Sequence, residues 1–190
     1  HGRRRSAAGV PAVGLDLSGA LLGEARRASP TAMLVRSDMR RLPFRAGAFA
    51  GLTSFFTSFG YFRTRAEDRR VVREVRRVLR PGGVFMLDFF NAERVRRTLV
   101  PRDERRLGGR TVVQTREIVG DTVVKRIRIE EPGTSADPRE FEERVRLYTA
   151  EELERMLEAA ALRVDARYGG YDGASFDAGA ERLILVGTAR

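Results

Sequence analysis

Val71 to Phe90 reads VVREVRRVLRPGGVFMLDFF, and this stretch decides the fold. Val71, Val72, Val75, Val78 and Leu79 fall at i, i+1, i+4, i+7 and i+8, one apolar stripe of an amphipathic helix whose other face is arginine and glutamate. Arg80-Pro81-Gly82-Gly83 then stops the helix, because proline cannot continue it and glycine accepts a left-handed exit. Val84 to Phe90 follows as a nearly continuous apolar run, the pattern of a strand buried on both faces. A helix turning sharply into a buried strand is half of a βαβ unit.

Working outward, the same rhythm continues upstream. Phe49 to Phe56 is an apolar run preceded by the turn-like Leu42-Pro43-Phe44. Ala32 to Val35 is a short strand ending in Arg36, Ser37 and Asp38. Ala12 to Asp16 is another, followed by Ser18 as a helix N-cap and by Leu21, Leu22, Ala25 and Ala28 at helical spacing. The order β-α-β-x-β-α-β predicts an α/β fold with a mostly parallel sheet.

Downstream the rhythm breaks. Thr111 to Val119 and Thr122 to Ile129 are rich in strand formers and meet at Gly120-Asp121, a hairpin signal. A loop with Pro132, Gly133 and Pro138 leads to Glu140 to Tyr148, where Phe141, Val145 and Leu147 are expected on one face and Arg144, Arg146 and Tyr148 on the other. Residues 105–148 are therefore expected to form a small antiparallel insert or lid within a single domain spanning 1–190. Thr149 and Glu152 form a capping box ahead of Leu153, Met156, Leu157 and Ala160. Leu162 to Tyr168 and Arg182 to Thr188 are the closing strands. The glycines between them (169, 170, 173 and 179) are expected to make a flexible connection, since no helix follows whose N-terminus could hold a phosphate.

Composition narrows the chemistry. The 190 residues contain no cysteine and one histidine, His1, which excludes thiolate nucleophiles and leaves no pattern for a histidine triad or metal site. No apolar run reaches the roughly 18 residues of a membrane span and no signal-peptide pattern opens the chain, so the expected location is cytoplasmic with no membrane partner. The net charge of +10 raises a nucleic-acid partner. However, the bases are almost all arginine, with Lys125 the sole lysine, and they interleave with acids over Glu67 to Arg80 and Glu151 to Glu158. Phosphate-binding surfaces cluster their charge; this chain spreads it.

Ligands of open α/β sheets sit at the carboxyl ends of strands. Asp16 ends its strand and has two acceptor oxygens suited to a pair of ribose hydroxyls. Asp38 follows the second strand beside Met39, an acid for an adenine amino group next to an apolar cover. Phe55-Phe56-Thr57-Ser58-Phe59-Gly60-Tyr61 follows the third and could wall a pocket. Individually, each also reads as a cap, a turn or core.

In order and spacing these segments resemble class I S-adenosylmethionine-dependent methyltransferases. Val13-Gly14-Leu15-Asp16-Leu17-Ser18 is similar to that family's second-strand motif. Ser37 to Phe44 (SDMRRLPF) is similar to its adenine-pocket segment, and Arg73 to Gly83 to its helix and turn before the fifth strand. The resemblance runs along essentially the whole chain. Phe56 to Phe62, Asn91, Arg146 to Thr149 and Tyr171-Asp172-Gly173 are similar to a bacterial subgroup acting on small molecules. The resemblance implies a Rossmann-like sheet and S-adenosyl-L-methionine as cofactor. Asp16 would bind the ribose, Leu17 would pack on the adenine, Asp38 with the Met39 amide would read the adenine edge, and Phe56 and Thr57 would lie near the methionine moiety. Tyr61, Arg146 and Tyr171 are the substrate-side candidates, and Tyr61, Asp88 or Asp172 the candidate bases.

The family's first strand and glycine-rich loop have no counterpart in these residues. His1 matches the histidine that often follows that loop, so the expectation is a truncated form with impaired cofactor binding. Ala50 replaces an acid usual early in the fourth strand, and Arg3 and Arg5 stand where related helices are apolar. Three rivals stay open: a nicotinamide-dependent Rossmann oxidoreductase, a nucleic-acid methyltransferase or binder, and a non-catalytic remnant. Against the second, Phe-Thr-Ser-Phe-Gly-Tyr lacks the Asn/Asp-Pro-Pro-aromatic run used on base amino groups.

Overall fold

The structure is a computed structural model, and it describes residues 11–131 and 137–190. His1, Arg3, Arg5, Pro132 and Gly133 lie outside the described residues. The elements run β1 (Val13–Asp16), α1 (Gly19–Ala28), β2 (Met33–Arg36), β3 (Phe49–Ser54), α2 (Arg65–Val78), β4 (Leu79–Phe90), α3 (Ala92–Thr98), β5 (Arg102–Leu107), β6 (Arg110–Val119), β7 (Thr122–Glu130), β8 (Arg139–Arg146), α4 (Ala150–Glu158), β9 (Leu162–Tyr168) and β10 (Arg182–Ala189).

β1 and β2 pair in parallel as a two-stranded ladder, and β3-β4-β10-β9 make a four-stranded sheet. β3 runs parallel to β4, whereas β10 is antiparallel to both its neighbours. Among the described residues β1 and β3 share no ladder. The x of the sequence pattern is a loop rather than a helix, held down by α2. Leu42 donates its backbone N–H to Glu74 (2.7 Å), and Arg77 donates to the carbonyls of Leu42 (2.9 Å) and Phe44 (2.6 Å).

The Arg80-Pro81-Gly82-Gly83 turn behaves differently from the expectation of a clean break. Strand pairing begins at Leu79, opposite Phe49, and resumes at Val84 opposite Gly51, so residues 80–83 bulge out against Ala50 alone. Gly82 takes φ +72°, and a Cβ on Gly83 would lie 2.9 Å from the Arg80 carbonyl oxygen. Glycine is required at both positions for different reasons, backbone hand at one and space at the other.

The core lies where α2 and α4 cover the four-stranded sheet. Val71, Val72, Leu79, Phe85, Leu87, Phe89, Leu153, Leu157, Leu162, Leu183 and Leu185 form one buried cluster. Each such side chain contributes about 1.5–3 kcal/mol by leaving water. The Thr149–Glu152 capping box forms as expected, and Thr64–Glu67 supplies a second at the start of α2. Helix α3 was not legible as a helix in the sequence; Asn91 caps it through bonds from the Glu93 and Arg94 N–H groups.

The insert is a four-stranded antiparallel sheet, β5-β6-β7-β8, beginning at Arg102, three residues before the expected boundary. Its far end is charged: Arg126 pairs with Glu117 (2.6 Å) and Glu142 (3.1 Å), and Arg128 with Glu130 (3.0 Å). The expected alternation fails at its close. Leu147 and Tyr148 are both buried, because β8 ends at Arg146 and the chain then turns into α4. There the Tyr148 hydroxyl donates to Asp68 (2.7 Å), a buried acid on α2 that also takes Arg146 (2.8 Å). Arg65 adds bonds to Asp121 (2.9 Å) and Glu152 (2.8 Å), tying α2, α4 and the β6–β7 turn together.

The Glu74–Arg77 fork predicts an acid-sensitive loop. Arg77 holds the Glu74 carboxyl below its ordinary value of 4.5. A carboxylate depressed on folding stabilises the protein fully above about pH 4.5 and loses that contribution as pH falls. Glu74→Gln is expected to lower the melting temperature by a few degrees at pH 7, about 1–2 kcal/mol for a charge-assisted pair. Melting curves of the two proteins should converge as the pH falls well below 4.5.

Candidate active site

Two strand ends form the first half of the site. At the end of β1, Asp16 accepts the Ser18 N–H on Oδ1 (2.7 Å), and its Oδ2 takes no bond from the described residues. Ser18 in turn caps α1 by accepting from Leu21 N–H (3.3 Å). Leu17 between them is 61% exposed, an apolar side chain held in the open. Its carbonyl accepts from Arg36 Nε (3.0 Å), and Ser37 N–H donates to the Asp16 carbonyl (3.1 Å), which locks the ends of β1 and β2 side by side.

Asp38 is placed at the end of β2 as expected, yet its carboxylate is turned onto Arg40. The Arg40 N–H (2.8 Å) and Nε (3.1 Å) reach Oδ1, and Nη2 reaches Oδ2 (2.6 Å). The Arg40 guanidinium holds the Asp38 carboxyl below the usual carboxylate range. Arg40 also bonds Glu67 and lies 4.7 Å from the Phe62 ring centre. Met39 packs against the core cluster. An adenine amino group reaching Asp38 must therefore share it with, or displace, Arg40.

The second half is built at the ends of β3 and β4. The sequence expectation carried β3 through Phe56, but the strand stops at Ser54 and the next residues turn back. Phe56 and Thr57 both take left-handed backbone, φ 55° and 57°. Such a conformation is uncommon for any residue but glycine and is an outlier for a β-branched one. It costs on the order of 1–3 kcal/mol per residue and persists only where the surroundings impose it. Here Asp88 imposes it. Phe56 N–H donates to Asp88 Oδ2 (2.6 Å), and Thr57 N–H to the Asp88 carbonyl (3.1 Å).

Asp88 sits near the carboxyl end of β4 with its side chain 0% exposed. Besides the turn it receives Arg182 of β10 on Oδ1, through Nε (2.7 Å) and Nη2 (2.6 Å), and the Tyr171 hydroxyl on Oδ2. Arg182 Nη2 continues to Thr57 Oγ1 (3.2 Å). Tyr171 comes from the β9–β10 connection and meets Phe56 edge-on, ring centres 6.4 Å apart. Burial, and next the bond to Asp88, push the Tyr171 phenol up to about 12.

Thus Phe56, Thr57 and Tyr171, chosen separately from the sequence, are brought together by a residue that the sequence offered only as one of three candidate bases. The signal was present: an acid inside the apolar run VFMLDFF needs buried partners. Arg182, at the start of the last strand, carried no such signal. Tyr61 is half exposed, and burial together with the Glu143 carboxylate raises its phenol. Arg146 is placed otherwise than expected. It is largely buried and donates to Asp68, to the Phe62 carbonyl (3.3 Å) and to the Arg63 carbonyl (3.1 Å), a brace between insert and body. Asp172 caps its own turn by accepting Ala174 N–H (3.1 Å). The glycine-rich connection is pinned rather than loose, for the buried Asn91 amide donates to the carbonyls of Asp177 (3.0 Å) and Ala180 (2.9 Å).

Residues 3–83 match the methyltransferase domain family. Over 84% of its length the chain is 34% identical to the dTDP-3-amino-3,4,6-trideoxy-alpha-D-glucopyranose N,N-dimethyltransferase of Streptomyces venezuelae, covering 69% of that enzyme. The chain belongs to the S-adenosylmethionine-dependent methyltransferases. A second relative, the dTDP-3-amino-3,6-dideoxy-alpha-D-glucopyranose N,N-dimethyltransferase of Streptomyces fradiae, is 31% identical over 84% of the chain and 64% of its own length. The methyltransferase also superposes, at TM-score 0.69 and 28% identity, on an amino pentose methyltransferase from Micromonospora echinaspora solved with S-adenosylmethionine bound; the match covers 99% of this chain and 78% of that one. The Rossmann-like fold class and the cofactor, S-adenosylmethionine, follow. No helix among the described residues is long and apolar enough to cross a membrane.

The residues present fit that cofactor at the nucleoside end: an acid with an oxygen to offer beside an exposed leucine. If Asp16 holds the ribose, Asp16→Ala is expected to weaken S-adenosylmethionine binding by roughly 1.5–3 kcal/mol, as for lost bonds to a charged group. Calorimetric titration of the folded variant checks this.

Proposed function

We propose that this methyltransferase moves a methyl group from S-adenosylmethionine to the amino group of a small sugar, of the nucleotide-linked 3-amino kind. The observation that carries the reading is the 34% identity to the Streptomyces venezuelae aminosugar N,N-dimethyltransferase along 84% of the chain. The second relative and the structural neighbour act on the same class, an amino sugar.

When bound, S-adenosylmethionine supplies an activated methyl on a sulfonium, so the protein's main task is to align donor and acceptor and keep water out. Asp16 and Leu17 hold and cover the nucleoside, and Asp38 exchanges Arg40 for the adenine edge, with the Met39 amide beside it. The Phe56–Thr57 turn stands at the methionine end. Tyr171 and Tyr61 face the acceptor. Arg146 does not join them, because its guanidinium is used between Asp68 and the carbonyls of Phe62 and Arg63. The acceptor amine must be neutral to attack, and the phenol of Tyr171, whose one proton is donated to Asp88, can accept a hydrogen bond from the amine but not take up its proton.

The arginine excess does not favour a nucleic-acid acceptor, since arginines of the insert are matched by glutamates within and across its strands. Binding to random duplex DNA is expected to vanish at moderate salt, as purely electrostatic contacts do.

Incubation with S-adenosylmethionine and a dTDP-3-amino-3,6-dideoxyhexose is expected to give products one and two methyl groups heavier by mass spectrometry. Cofactor binding without any such product would remove the sugar reading and leave the family.

A further inference from the structure

Asp88 is the one fully buried acid that meets both halves of the proposed reaction. Its Oδ2 takes the Phe56 N–H (2.6 Å) and the Tyr171 hydroxyl, and its Oδ1 takes Arg182 (2.7 Å). Three hydrogen bonds thus reach one carboxylate from three separate segments: the turn after β3, the β9–β10 connection and β10 itself. We propose that Asp88 is a positioning residue for methyl transfer: its carboxylate holds the left-handed Phe56–Thr57 turn at the cofactor's methionine end and the Tyr171 ring on the acceptor side, so one group sets donor against acceptor. This inference rests on reading that turn as part of the cofactor site.

The physical argument has three parts. The turn is strained, and Thr57 is the less tolerant of the two because its branched Cβ is crowded at positive φ. The strain needs a fixed anchor, and a fully buried carboxylate paired with Arg182 is rigid in a way a solvated one is not. Tyr171 is 53% exposed, and donating to Asp88 ties its hydroxyl to β4 with its ring edge-on to Phe56. An acid so committed is unsuited to proton abstraction. Both of its oxygens already accept from donors fixed by the fold.

The experiment compares Asp88→Asn, Tyr171→Phe, Thr57→Gly and the double variant Asp88→Asn/Thr57→Gly. Readouts are S-adenosylmethionine affinity by titration, and kcat and KM for an amino-sugar acceptor across pH 6–10. Asp88→Asn is expected to weaken cofactor binding about tenfold and to raise acceptor KM, with the shape of the pH profile kept. Tyr171→Phe should raise acceptor KM several-fold while cofactor affinity stays within twofold. Glycine takes φ near +57° without strain, so the double variant should regain several-fold of the cofactor affinity lost in Asp88→Asn. A loss of kcat of a thousandfold or more with both binding terms unchanged, and with the ascending limb of the pH profile gone, would make Asp88 the base and overturn the proposal. So would wild-type binding of both ligands by folded Asp88→Asn. If Asp88→Asn does not fold, Tyr171→Phe decides: an unchanged acceptor KM sinks the idea. Failure of the wild-type protein to methylate any amino sugar would refute the substrate reading alone, since the cofactor titrations and the glycine rescue still test Asp88.

Discussion

A carboxylate with no exposure to solvent must be matched inside the protein, because an unpaired buried charge costs several kcal/mol. Asp88 is in that position, near the carboxyl end of β4, an inner strand of the four-stranded sheet. Matching it recruits the start of β10 through Arg182, the β9–β10 connection through Tyr171, and the turn after β3 through the Phe56 N–H. Those are the three segments that converge at the carboxyl ends of β3 and β4. The site's geometry is therefore a consequence of satisfying one charge, and strain at Phe56 and Thr57 persists because that charge holds it.

A second buried acid organises the opposite contact. Asp68 stands in the charged run Glu67-Asp68-Arg69-Arg70, yet it is fully buried between Arg146 and Tyr148. It fastens the antiparallel insert to the helical layer, assisted by Gly60, whose carbonyl accepts the Arg146 N–H (2.9 Å). Gly60 belongs to the segment that continues from the Phe56–Thr57 turn. The insert is thus joined to the body through the same chain segment that walls the site, which explains how a sheet built mostly of exposed ion pairs is held in place beside it.

What the residues by themselves determined is local and periodic. The stripe Val71 to Leu79, the alternations of the insert and the capping box at Thr149 are set by side-chain chemistry within a few residues, and they appear in the structure within one to three residues of where the sequence puts them. The class of fold and the family were legible for the same reason: Asp16, Asp38 and the Arg73 to Gly83 turn stand at strand ends, and strand ends follow from pattern.

What only the tertiary structure decided is how distant charges pair. Arg146 reads in sequence as an exposed arginine on a strand beside a pocket, but α2 brings Asp68 against it. Asp38 reads as an open acceptor, but the chain folds Arg40 back over it. Asp88 and Arg182 are 94 residues apart and share an ion pair because β10 inserts beside β4, a register no local pattern encodes. Burial of charge depends on neighbours brought together by the fold, so the elements were written in the sequence, whereas the partners of its acids were fixed by packing.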